Sequence, residues 1–344
     1  MVELTPLPLV IMANAAVGKR WAGLAAEILS GVAGGLIALL GAADLTVARV
    51  LTPATNPNLQ LALDLTVMVT GLAAAAIAAQ PVRRRVARLL PIDADNPVHA
   101  LALALTVIVL GIDVAVIAFT DVLATAQTQP PLTIADLFFD ETPFLVFALI
   151  GVGLFIRREL PDTAARLGLV LPRWWQIAVA LASAGAFYFF VQQVDVASHR
   201  WTPDLAHRVD AATNHIFGQL GWPAGTLAVA VIPGLCEELL FRGALQPRIG
   251  LVPTALLFTS IHTQYALSLD TAAVLVIALG LGLLRKYTNT TTSCTCHVSY
   301  NLLVAIGVAG AAANLAVAAE LALLGVSAYV IWTRRRGAPT PVEP

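Results

Sequence analysis

Three short polar signatures interrupt apolar stretches of the chain: Glu237-Glu238-x-x-x-Arg242, Phe258-x-x-x-His262 and His297-x-x-x-Asn301. Ionisable groups within membrane-like segments are costly and are normally kept for chemistry or transport. Each signature contains an i,i+4 pair, so on a helix both members face the same way. Two carboxylates, two imidazoles, an amide and a guanidinium can therefore meet between three helices. Such a set can activate a water molecule and hold a developing oxyanion.

The elements that must position these residues are membrane helices. The chain is 58% hydrophobic and 12% charged, against about 25% charged in an ordinary soluble domain. Taking about 20 apolar residues per span, the sequence predicts an all-α, polytopic bundle of ten transmembrane helices. They fall near 22–42, 61–79, 98–122, 137–156, 174–195, 223–241, 252–268, 271–285, 290–307 and 312–332. The basic residues test that count. With both termini cytoplasmic, 17 of the 20 Lys and Arg fall on inside segments, leaving only Arg49, Arg200 and Arg208 outside. This is the positive-inside asymmetry expected of a cell-membrane, multi-pass protein. The sequence shows no signal peptide and no disulfide framework, because Cys236, Cys294 and Cys296 all lie in apolar segments. The loop 197–222 is the longest outside connection, with Trp201 and Trp222 suited to an interfacial belt. On this topology the polar signatures sit about 5–16 Å from the cytoplasmic boundary, at 1.5 Å per helical residue.

The organisation expected is an N-terminal transmembrane region over 1–170, a core over 171–332 with its motif-bearing part at 223–306, and a Pro-rich disordered tail over 333–344. The three signatures, in order and at ordinary spacing, resemble the motifs of the CPBP family (CAAX prenyl protease/Abi, type II CAAX prenyl endopeptidase-like intramembrane proteases). The resemblance implies an endopeptidase in which Glu237 and His262 bind and activate the attacking water. It gives His297 and Asn301 the tetrahedral oxyanion, and Glu238 and Arg242 a charge-assisted pair that fixes the first glutamate. It leaves the metal open: Glu237, His262 and His297 are acceptable Zn2+ ligands if a metal is used. The partners implied are the lipid bilayer and a peptide or protein with a membrane-associated, in some members lipidated, segment. No nucleic acid is expected.

Two other classes compete. An ion-coupled transporter would use the intramembrane acids Glu27, Asp113, Asp121 and Glu320, but the duplicated halves common in transporters are not visible. A catalytically silent immunity or scaffold member of the same family would lack one of the motif residues, and none is missing. The bland reading of the four acids is that each pairs with polar groups on neighbouring helices. Cys294 and Cys296, beside His297, read as packing residues before they read as soft metal ligands. The run Arg83-Arg84-Arg85…Arg88 reads as a topology signal.

Overall fold

The computed structural model describes residues 4–48, 56–221 and 223–307, with isolated positions between 325 and 333. The expected helix at 312–332, the tail 333–344, Glu320, Arg49 and Trp222 lie, apart from those isolated positions, outside the described residues. Every regular element among the described residues is helical. In chain order they are α1 (Leu7–Ala16), α2 (Ala22–Ala43) with a π-helical extension (Asp44–Ala48), α3 (Pro57–Ala76), α4 (Gln80–Val86), α5 (Pro97–Phe119), α6 (Val122–Thr128), α7 (Ile134–Gly151) and α8 (Leu160–Leu167). Then follow α9 (Trp174–Trp201), α10 (Pro203–Phe217), α11 (Ala224–Glu238), a π-helical segment (Leu239–Leu245), α12 (Gln246–Ile249) and α13 (Leu251–Ser260). A 3₁₀ turn (Thr263–Tyr265), α14 (Leu269–Tyr287) and α15 (Thr290–Ile306) complete the series.

Local chemistry starts these helices. Asn56, Asn96 and Asn289 cap α3, α5 and α15 by accepting backbone N–H groups of the first turn, and Pro57 and Pro97 occupy the adjoining first positions. Thr133 and Asp136 form a reciprocal capping box at α7.

Five segments are long and apolar enough to cross a membrane: Ala22–Thr46, Pro57–Ala76, Pro97–Phe119, Trp174–Trp201 and Ala224–Ile249. Only 22% to 39% of their apolar windows is buried inside the chain. The remaining leucines and valines, such as Leu36, Leu39 and Leu72, point outward, as expected where lipid is the solvent. This is a membrane protein.

Small residues bring the N-terminal helices together. A β-carbon on Gly34 would lie 2.1 Å from the Ala75 backbone, and one on Gly71 2.1 Å from the Ala38 backbone. α2 and α3 thus touch backbone to backbone, the packing small residues permit in lipid. The C-terminal helices pack as α11 on α7 and α15, α9 on α14 and α15, and α13 on α14. Asp113 of α5 joins the two groups by accepting the Ser260 hydroxyl at 2.8 Å.

Two expectations are corrected. The predicted helix 252–268 ends at Ser260, leaving His262 in a break before the 3₁₀ turn. The predicted loop 197–222 is mostly helix, because α9 runs to Trp201 and α10 begins at Pro203. Thr202 caps both helices, so a corner of one residue replaces the loop.

The ends of α5 mark two sides of the bundle. His99, at its start, lies within electrostatic reach of Arg157, Arg166 and Arg248. Asp121, just beyond its end, pairs with Arg208 at 2.5 Å. At 1.5 Å per residue these sides are about 33 Å apart.

Candidate functional site

The motif residues of α11 and α15 meet because the two helices approach closely at Gly234. A β-carbon there would lie 2.7 Å from Val298 Cγ2 and 3.0 Å from the Val298 backbone nitrogen. One turn beyond Gly234 on α11, Glu237 and Glu238 come against His297, the residue next to Val298 on α15. Both carboxylates, Arg242 and His297 are buried. The chain continues from Glu238 into the π-helical segment that carries Arg242, a wide turn often found at functional positions.

The two neighbouring glutamates have different surroundings. Glu238 is fully enclosed and saturated: its Oε1 lies 3.0 Å from Arg242 Nη1 and 3.0 Å from His297 Nδ1, and its Oε2 accepts the Ser293 hydroxyl. Two hydrogen-bonding side chains and an ion-paired guanidinium on one buried carboxylate fix its position and compensate its charge. Glu237 has no such shell. Its Oε2 finds no hydrogen-bond partner among the described residues and sits 3.8 Å from His297 Nε2. That separation is too long for a direct hydrogen bond and short enough for one water to bridge. With Nδ1 bound to the Glu238 carboxylate, Nε2 is the His297 ring nitrogen turned toward Glu237.

His262 is reached through Phe258, whose ring is the centre of the cluster. The Arg242 guanidinium lies over the Phe258 ring at 4.2 Å, and the centroids of His262, Phe241 and His297 are 4.8, 5.2 and 5.9 Å away. Phe258 thus holds the arginine by a cation–π contact and spaces the two imidazoles. His262 Nδ1 donates to the Phe258 carbonyl at 2.8 Å. The i,i+4 relation survives the end of α13, and Nε2 makes no hydrogen bond among the described residues. Tyr265 lies parallel to the other face of His262, with centroids 6.3 Å apart.

Asn301 is explained by a proline. Pro233 sits inside α11 and has no N–H to offer the carbonyl four residues earlier. That carbonyl, of Val229, lies 3.4 Å from Asn301 Nδ2. A long hydrogen bond to a proline-freed carbonyl therefore orients the Asn301 amide.

The ligand atoms of Glu237, His262 and His297 do not gather within 4.8 Å of one another, a spacing that a different group among the described residues does meet. His297 also commits Nδ1 to Glu238. As placed, these three residues do not form a ready Zn2+ site.

Sequence reasoning missed three residues here. Ser293, four residues before His297 and on the same helical face, grips Glu238; that spacing was the available signal. Phe258 was read only as part of a motif, not as the hub. Glu141 of α7, also buried, is an electrostatic neighbour of Glu237 and Cys236. Its helix lies far from the motifs in sequence, and nothing there foretells the packing. Cys294 and Cys296 are buried as free thiols, Cys296 within the apolar contact between α9, α14 and α15. Of the intramembrane acids, Asp113 bonds Ser260, Glu27 lies 3.9 Å from the Arg83 guanidinium, and Asp121 caps α6 and pairs with Arg208. Each therefore has a polar partner outside the cluster.

Fold and cluster together define a helical membrane protein with a buried Glu/Glu/Arg/His centre. Residues 219–303 match the family model described as type II CAAX prenyl endopeptidase Rce1-like, the family that the three motifs resemble. The chain is also 27% identical over 148 residues to the uncharacterized protein YpbD of Bacillus subtilis (strain 168), covering 42% of this chain and 73% of that protein. No solved structure matches the chain.

Proposed function

We propose that the protein is an intramembrane endopeptidase of the CAAX-protease/Abi type, hydrolysing a peptide bond of a membrane-associated substrate near the cytoplasmic face. Glu237 and His262 activate the water. His297 and Asn301 stabilise the tetrahedral oxyanion. Glu238 and Arg242 hold the first glutamate in place. The observation that carries this reading is the contrast between the two buried glutamates. Glu238 is saturated by Arg242, His297 and Ser293, while Glu237 keeps an unpartnered oxygen 3.8 Å from an imidazole nitrogen. A carboxylate kept open inside an apolar bundle is poised to take a proton from water, and the match over residues 219–303 supports peptide hydrolysis.

The topology belonging to this reading has ten spans with both termini cytoplasmic. It is supported by the clustering of Arg157, Arg158, Arg166, Arg248 and Arg285, all assigned to inside segments, within electrostatic reach of one another. Purified protein should cleave a fluorogenic peptide substrate, and Glu237→Ala should abolish the signal. Adding His262→Ala should cost nothing more, as expected for groups acting as a unit. Cleavage by Glu237→Ala at the wild-type rate would overturn the assignment.

A further inference from the structure

We infer that His199, His207 and Asp210 form a divalent-cation site, for Zn2+ by its donor chemistry, at the corner between α9 and α10. Their ligand atoms, one per residue, all lie within 4.8 Å of one another. His207 and Asp210 are three apart on α10 and so share a helical face, while His199 reaches them from the last turn of α9. The one-residue corner at Thr202, whose hydroxyl bonds the Ser198 carbonyl at 3.1 Å, fixes the approach of the two helices.

The hydrogen bonds around His199 point to a cation. Its Nδ1 lies 3.0 Å from the Asp195 carbonyl oxygen and 3.3 Å from the Asp195 carboxylate. Both are acceptors, so Nδ1 carries the proton. In the neutral ring the Nε2 lone pair then faces Asp210 Oδ2 at 3.0 Å, an acceptor facing an acceptor. A positive charge must lie between them. A proton on Nε2 would satisfy two groups, but it gives no reason for a second imidazole, His207, whose ring centroid is 5.3 Å from that of His199. A metal ion uses all three.

Two imidazoles and a carboxylate suit Zn2+. Asp195 would serve as the outer partner that sets the tautomer of a ligating histidine. Bonds of about 2.1 Å in a tetrahedron place ligands about 3.4 Å apart. The His199–Asp210 edge needs only a small opening, and His207, which is exposed, swings inward. The fourth position is left to water.

The site has a mechanical consequence. α10 lays Val209 and Ala212 against Leu123 of α6 and against Tyr265 and Ala266 of the 3₁₀ turn that follows His262. Arg208 pairs with Asp121, and His215 bonds the Gln129 carbonyl at 2.8 Å. A bound ion would fasten α10 to α9 and so hold this cover over the His262 turn. The site is separate from the Glu237 centre and does not depend on the peptidase reading.

The test uses full-length protein in detergent, stripped with chelator, exposed to ZnCl2, desalted and assayed for zinc per chain, with thermal unfolding followed in parallel. Wild type and Glu237→Gln should each retain one zinc per chain and gain in Tm on zinc addition. His207→Ala should retain none and lose the gain while keeping the metal-free Tm. His207→Cys should restore binding. Failure of wild type to retain zinc would overturn the inference, as would retention by His207→Ala. Loss in Glu237→Gln with retention in His207→Ala would place the ion at the other centre.

Discussion

At the residue scale the two adjacent glutamates carry most of the argument. Glu238 is held by hydrogen bonds with Ser293 and His297 and by the Arg242 ion pair, and cannot release its oxygens without uncoupling Arg242 and His297. Glu237 Oε2 has no hydrogen-bond partner among the described residues, and on the proposed reading it is the group that reacts. Glu237→Ala, His262→Ala and His297→Ala should each abolish peptide cleavage in protein that remains inserted and folded. Asn301→Ala should leave a trace, since loss of one oxyanion donor costs roughly 10²–10³-fold in turnover. Arg242 tests the supporting role. Lysine keeps the charge but loses the planar fork and the stacking on Phe258, 4.2 Å away. Arg242→Lys should lower kcat with KM nearly unchanged, and Arg242→Ala should also lower Tm. Wild-type kcat in the lysine variant would make Arg242 a topology marker only. The motif residues and their pairing across one helical turn were legible in the sequence because i,i+4 spacing is a property of the helix itself. Ser293, Phe258 as hub and Glu141 were not, because their parts depend on which helices become neighbours.

At the element scale the site depends on two helices that nearly touch. Gly234 lets α11 approach Val298 of α15, and Pro233 beside it frees the Val229 carbonyl for Asn301. A methyl group at Gly234 would sit 2.7 Å from Val298 Cγ2 and 3.0 Å from a backbone nitrogen. Gly234→Ala should therefore push the helices apart, cost about 1–3 kcal/mol of stability, and stretch the His297 contacts to both glutamates. Cleavage should fall more steeply than Tm. Adding Val298→Ala removes the closer of the two clashes and should recover part of both. If the double variant were no better than Gly234→Ala, the close approach would not be what sets the site. Helix positions were legible from hydropathy, and α2, α3, α5, α9 and α11 lie where the apolar runs predict. The breaks were not. α13 stops at Ser260 although the sequence stays apolar to Ile261 and resumes at Ala266-Leu267. What ends the helix is tertiary: Asp113 of α5 takes the Ser260 hydroxyl, and α6 and α10 cover the turn that follows.

At the scale of the whole molecule the question is which side of the membrane each end of the bundle faces. His99, at the start of α5, lies among Arg157, Arg166 and Arg248, whereas Asp121, beyond its end, pairs with Arg208. These two charged layers are about 33 Å apart by helical rise, close to the hydrocarbon thickness of a bilayer. The sequence assigns the first layer inside and Arg208 outside on the positive-inside asymmetry alone, and the packing gathers the arginines assigned inside independently of that rule. The candidate site lies between the layers. Ser260 is bound to Asp113, about 21 Å along α5 from His99 and about 12 Å from Asp121. On its Arg208 side the turn that follows His262 is covered by α6 and α10. On the proposed reading, a peptide would reach the Glu237 centre from the arginine-rich side or from between the helices. Reporter fusions after Arg88 and Arg336 should read cytoplasmic, and a fusion after Arg208 should read external. A membrane-impermeant thiol reagent should label Arg208→Cys from outside in intact cells and Arg248→Cys only after permeabilisation, with buried Arg248 requiring the longer exposure. Finding Arg208 on the same side as Arg336 would invert the bundle at α9 and remove the basis for a cytoplasm-facing site.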